Sequence, residues 1–246
     1  MYAIAALAVL FSQPLHAEPA PRERLALSTI MLPPLGSTPD TPGFLEKIAR
    51  EAFRRIGREI DVDTTPGERS LINANSGLVD GELMRRPGFE AIYPNLIRVP
   101  EKIGDMDFVA YTNRQDIKGP VTWDTLASYV VAYPTGWKIF DKQVKARQVT
   151  KVRAIDDLFV LLDLKRADIV LADRWEGLYA MRKDTRVAWL VEPPLASLPM
   201  FMYLNKRHAA LVPEVARALA AMKTDGTYKR IFDTTLKPYG NVGEKQ

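Results

Sequence analysis

The stretch RADIVLADRWEG, Arg166 to Gly177, sets a carboxylate at each end of an apolar run: Asp168 before Ile169, and Asp173 after Ala172. An acid at the mouth of a hydrophobic strand can cap the helix that follows, or face a ligand. Asp173 precedes RWEGLYAM and fits an N-cap, whose side-chain oxygen accepts a backbone N–H. Glu176, three residues on, completes a capping-box spacing. Cap and ligand roles are compatible, because strand C-termini in α/β sheets open onto the crevice where ligands sit. Asp168, next to Arg166, reads as an exposed turn carboxylate.

Three other groups could recognise a solute. Arg85 and Arg86 stand side by side in a charged loop, where arginines are usually solvated, although a guanidinium can fork onto a carboxylate with two parallel hydrogen bonds. Arg69 in TPGERSLIN sits at a helix start, either on the surface or pointing into a cleft. Of five candidate wall aromatics, Phe89, Tyr93, Tyr133, Trp137 and Trp175, one or two are expected at a ligand, with Trp137 best placed after the Thr135-Gly136 turn. The chain has no cysteine and two histidines, His16 and His208, so a His/Cys zinc cluster, a thiol nucleophile and a Cys-His pair are all excluded. No metal and no cofactor are called for.

The elements that must position these groups are legible from periodicity. Leu25 to Leu32 reads as a first strand stopped by Pro33-Pro34, and Phe44, Leu45, Ile48, Ala49, Ala52, Phe53 and Ile56 recur at helical spacing before Gly57. EIDVDT alternates as a strand, and GERSLINANSG reads as a helix ended by Gly77. Short strands follow in LVDGELM and NLIRV, then a longer one in DMDFVAYTN. From Tyr129 to Val191 strands and helices alternate, with helices expected over 137–146, 156–164 and 174–182. Pro193-Pro194 is expected to interrupt before a late strand MFMYLN, and two helices close the chain. This is an α/β pattern with mostly parallel sheets. Crossings after Asn113 and near 193–199 divide the chain into lobe I, 18–113 with 199–246, and lobe II, 114–198, with a hinge and a cleft between them.

The chain has 246 residues, 47% hydrophobic and 26% charged, with net charge +4. No long block of like charge occurs, so nucleic acid is not an expected partner. MYAIAALAVLFSQPLHA has an apolar core too short to span a bilayer and reads as a secretory signal, 1–17, with a mature start near Glu18. The expected location is the periplasm, without a lipid anchor for want of a cysteine.

LPPLG after the first strand, GFLEKIAREAFRRIG, SGLVDGELMR, VVAYPTGWK, RADIVLAD and MKTDGTYKRIFD follow in an order and spacing that resembles bacterial extracellular solute-binding proteins of the polar-amino-acid type (family 3), the periplasmic receptors of ABC importers. The resemblance spans roughly Leu25 to Tyr239 and implies a two-lobed, type II periplasmic-binding-protein-like fold. By that resemblance Arg86 grips a ligand carboxylate, Thr135 and Gly136 at a helix N-terminus face the same carboxylate, and Asp173 takes the ammonium group. Trp137 and Arg69 complete the expected ligand set. Departures are the NLIRVPEKIGD segment, where the family commonly carries a Phe-Ser-x-Pro-Tyr-like stretch, Glu46 and Lys47 in the first helix, and Arg85 beside Arg86, either of which could grip. The expected activity is binding of an amino acid or related carboxylate for import, without chemistry and as a monomer, with an ABC permease as candidate partner. The alternatives are a cyclohexadienyl dehydratase-like enzyme, with Glu82, Glu90, Glu101 or Asp173 as acid or base, and a ligand-sensing accessory protein.

Overall fold

The computed structural model describes residues 24–240 except Pro39 and 184–186; the expected signal segment lies outside the described residues. Strand β1 (Arg24–Thr29) leads through a loop to α1 (Phe44–Arg55), whose apolar stripe is buried while Glu51 pairs with Arg54 and Arg55 on the other face. Strand β2 (Glu59–Thr64) and helix α2 (Gly67–Ser76) follow, the latter closed by Gly77 in a left-handed conformation (φ 80°) that a side chain would resist. Then come β3 (Gly81–Arg85), β4 (Leu96–Arg98) and β5 (Gly104–Thr112).

The second half begins with β6 (Val130–Pro134), α3 (Lys138–Gln143), β7 (Gln148–Val152) and α4 (Ile155–Asp163). It continues with β8 (Ile169–Asp173), α5 (Arg174–Lys183) and the long β9 (Trp189–Asn205). Helices α6 (Val212–Thr224), α7 (Thr227–Thr235) and α8 (Lys237–Gly240) finish the described chain. Among the described residues no helix is long and apolar enough to cross a membrane.

The strands run in the order β2-β1-β3-β9-β5-β8-β6-β7, with β4 on β9. Parallel pairings β2-β1-β3 and β8-β6-β7 form the two ends, and an antiparallel β5/β9 ribbon joins them. Phe108–Tyr111 already pair with β8, so the first passage between ends lies within β5 and not in the loop after Asn113. The second lies in β9, whose residues 189–200 pair with β5 and 201–205 with β3 and β4.

Two expectations are corrected. Pro193-Pro194 does not end a strand: β9 runs through it, with Val191 opposite Ala110 and Ala196 opposite Phe108, so residues 192–195 bulge out against Val109. A bulge accommodates prolines because those residues leave the hydrogen-bond ladder. Helix α3 is also shorter than expected, since Val144 is already extended (ψ 118°).

Candidate functional site

The elements meet at a cleft of about 640 Å³. Ile30, Met31 and Leu32 reach it from the end of β1, and Met84, Arg85, Arg86, Phe89, Ile92 and Tyr93 from β3 and the loop beyond. The β5/β9 ribbon contributes Met106, Phe108, Leu198 and Met200. On the other side stand Thr135 to Ile139 and Glu176, while Glu68 opens α2 at the rim. The walls are mostly apolar, and the polar groups converge from opposite sides.

Arg85 is the better held of the two arginines. Its Nη2 donates to the Gly67 carbonyl (2.7 Å) and lies 3.3 Å from Glu82 Oε1. Glu82 is fully buried, and burial pushes its carboxyl up to about 7, partly offset by the Arg85 charge and the Met84 N–H. Arg85 Nε is buried with no partner among the described residues. Arg86 is exposed: its guanidinium sits 4.9 Å from the centroid of the Phe89 ring, and Nη1 donates to Pro87 O (3.3 Å).

Facing them, Gly136 turns the chain from β6 into α3 at φ 89°, a conformation suited to glycine. The Thr135 N–H is committed to Val152 O (2.8 Å), so that amide is not free for a ligand, and the exposed Thr135 lines the cleft. Trp137 is fixed edge-to-face on Phe108 and stacked on Phe140, at centroid distances of 5.6 and 5.7 Å.

Asp173 is fully buried and is not among the cleft-lining residues. Its Oδ1 accepts the N–H groups of Trp175 (2.9 Å) and Glu176 (3.1 Å), so the cap expected from the sequence is made. Its Oδ2 is buried without a partner among the described residues. Burial first, and the charge of Asp107 after it, push the carboxyl up to about 7 against those two N–H bonds. Glu176 does line the cleft; its Oε2 is likewise buried and unpartnered, and burial followed by Asp173 and Asp156 pushes it up to about 8. Read from sequence as a capping-box partner, Glu176 is an acid at the cleft surface, as is Glu68 at the rim. The signal was its place in the first turn of the helix whose cap ends β8.

The structure therefore brings Arg86, Thr135, Gly136 and Trp137 to one cleft, keeps Asp173 behind it, and leaves Arg69 exposed and outside it. Of the five aromatics, Phe89, Tyr93 and Trp137 line it. Tyr133 is buried in the core and Trp175 packs edge-on against Phe232. Asp168 is not an exposed turn residue: it accepts the Val130 N–H (2.8 Å) and pairs with Arg114 (2.7 Å), tying β6 to the end of β5. Of the acids nominated for catalysis, Glu82 is sealed against Arg85, Glu90 accepts the Tyr203 hydroxyl (2.8 Å) and Glu101 pairs with Lys223. Among the described residues, no group of three or more His, Cys, Asp or Glu could hold a metal ion.

The fold matches solved structures along most of the chain. The probable amino-acid ABC transporter extracellular-binding protein ytmK of Bacillus subtilis superposes with a TM-score of 0.74, covering 92% of this chain and 100% of that one at 14% identity. The chain therefore shares the mixed α/β fold of that extracellular-binding protein. An ancestral amino acid-binding protein, a precursor of cyclohexadienyl dehydratase, shares this fold at a TM-score of 0.68 and 15% identity, over 87% of this chain and 95% of that one. An uncharacterized protein of Shewanella oneidensis is 27% identical over 195 residues, 75% of this chain and 73% of that one. No family profile matches the chain.

Proposed function

We propose that the cleft binds a small zwitterionic carboxylate with an apolar side chain, an amino acid or a close relative, and that the protein serves as a periplasmic receptor for import through an ABC permease. One observation carries this reading: a guanidinium at β3, held by a buried acid, faces a cleft otherwise walled by Met84, Met106, Phe108, Trp137, Leu198 and Met200. Such a pocket gives a carboxylate a fork-shaped donor and gives an apolar side chain a dry wall. The amino-acid-binding neighbours support the same class. In this reading Arg85 or Arg86 holds the carboxylate with the Thr135-Gly136 turn, Trp137 covers the side chain, and Arg69 has no contact with the solute.

A thermal-shift screen of the twenty L-amino acids and their deamino counterparts tests it. Apolar amino acids are expected to raise the melting temperature, and Arg85→Ala and Arg86→Ala to weaken them; no stabilisation by any member would remove the reading. The dehydratase-like alternative has one observation in its favour, an acid at the cleft held protonated near neutrality, as a general acid must be. Mass analysis of a cyclohexadienol carboxylate recovered after incubation separates the two: unchanged mass supports binding, and loss of carbon dioxide together with water supports the enzyme.

A further inference from the structure

We infer that a second pocket, where α1, α5, α7 and α8 meet, is a binding site for a small oxyanion of the phosphate or sulfate class, held by Lys47. The pocket has a volume of about 290 Å³ and shares no lining residue with the cleft. That is room for one such ion with several waters, each filling about 30 Å³ in the liquid. The inference does not rest on what the cleft binds.

The walls come from both ends of the sheet. The loop after β1 and the first turn of α1 supply Thr38 and Lys47, and α7 adds Thr235. Tyr179 of α5 and Tyr239 of α8, in ring contact with each other, close the other side. The loop is stitched onto the start of α1: the Phe44 N–H donates to Pro34 O and the Leu45 N–H to Leu35 O, both at 2.9 Å. A Cβ at Gly43 would meet Gly36 O at 2.2 Å, so the two loop strands lie in direct contact there. This side of the pocket is formed before any ligand arrives.

The charge is one-sided. Among the described residues Lys47 is the single charged group lining the pocket; it is half-buried and makes no ion pair. The neighbouring acids are occupied elsewhere. Glu46 is taken by Ser37 and Arg50, Glu51 by Arg54 and Arg55, and Asp233 by Lys229 and Lys237. Asp40, in the loop, is exposed. The start of α1 and the end of α7 meet here with opposed dipoles, so the Lys47 ammonium sets the local field.

The donors match an ion that can only accept. Lys47 Nζ donates to Thr235 Oγ1 (3.3 Å), which leaves two of its three protons. Thr235 Oγ1 accepts that bond and Thr38 Oγ1 accepts the Thr41 N–H (3.1 Å), so among the described residues both hydroxyl protons stay available. Thr234 adds nothing, since its hydroxyl donates to Arg230 O and Ile231 O. An ammonium with two hydroxyl donors and no carboxylate suits a compact anion and repels a cation.

Inorganic phosphate and sulfate, titrated into the full chain with sodium chloride holding the ionic strength constant, test this. Both should raise the melting temperature along a saturating curve, unlike the general stabilisation by these salts, which keeps growing with concentration. The phosphorus NMR line of phosphate should broaden over the same range. Lys47→Met, which keeps the aliphatic stem, should weaken phosphate binding about tenfold or more, as loss of a charge-assisted hydrogen bond predicts. Thr235→Val should weaken it several-fold, and decides alone if Lys47→Met does not fold. Arg85→Ala and Arg86→Ala, at the cleft, should leave phosphate affinity unchanged. No effect beyond that of sodium chloride, or unchanged affinity in the Lys47 and Thr235 variants, would overturn the inference. Loss of binding in either arginine variant would overturn it too, by moving the anion to the cleft.

Discussion

At the scale of single residues, the buried acids make stability depend on pH in a calculable direction. Asp173, Glu176 and Glu82 are raised to about 7, about 8 and about 7, chiefly by burial, whereas an unfolded carboxyl titrates near about 4. Between those values the folded protein binds more protons than the unfolded chain, so stability falls as pH rises from about 5 to about 8. The opposite arm belongs to acids such as Glu51 and Asp225, lowered to about 2, chiefly by hydrogen bonds from Arg54 and Arg55 respectively, whose contribution is lost as pH drops below about 4. Maximum stability is therefore expected near pH 5. Melting temperatures measured from pH 4 to 9 should decline on the alkaline side, and Glu176→Gln should flatten that decline. A curve that rises toward pH 8 in the wild type would mean that these acids ionise freely in the fold.

At the scale of elements, α5 seats Glu176 because Gly177 lets the helix come down on β5. A Cβ at Gly177 would meet the Tyr111 ring at 2.4 Å, and Tyr111 is fully buried, so the ring has no room to yield. Gly177→Ala is expected to cost about 1–3 kcal/mol, the usual penalty for overpacking, as a shift in the urea midpoint. A loss below a few tenths would show that α5 does not lie so closely on the strand. Nothing in RWEGLYAM announced that contact, since a glycine one turn into a helix carries no periodic signal. Helices α1 and α2 were legible because their apolar stripes and terminal glycines are local features. The continuity of β9 was not, because Pro193-Pro194 reads as a breaker until the facing register of β5 shows the bulge. Asp173's cap was legible for the same local reason, while Glu176's exposure to the cleft depends on how α5 stacks on β5 and α4, which is long-range packing.

At the scale of the whole molecule, the C-terminal helices bridge the two ends of the sheet. Helix α7 packs Tyr228 and Phe232 against Phe44 of α1, and Phe232 also meets Trp175 of α5 edge-on at 5.5 Å. Helix α8 then lays Tyr239 on Tyr179 (5.4 Å) and under the Arg182 guanidinium (5.2 Å). A second link between the ends thus exists beside the β5/β9 ribbon, and if the protein is the receptor proposed above, closure over a solute has to slide or keep it. Because the link is a few aromatic contacts, each worth about 0.5–1.5 kcal/mol beyond area burial, it would bias the open–closed balance of the proposed receptor without locking it. Tyr239→Ala removes the α8 part while leaving the cleft lining intact. The variant should melt a few degrees lower, at about 2–4 °C per kcal/mol for a chain of this size, and its ligand-free radius of gyration in solution scattering should increase. Solute affinity should weaken in proportion, since a closed state made rarer in the free protein must be repopulated by binding. An unchanged radius with an unchanged affinity would place the hinge control in the β5/β9 ribbon alone.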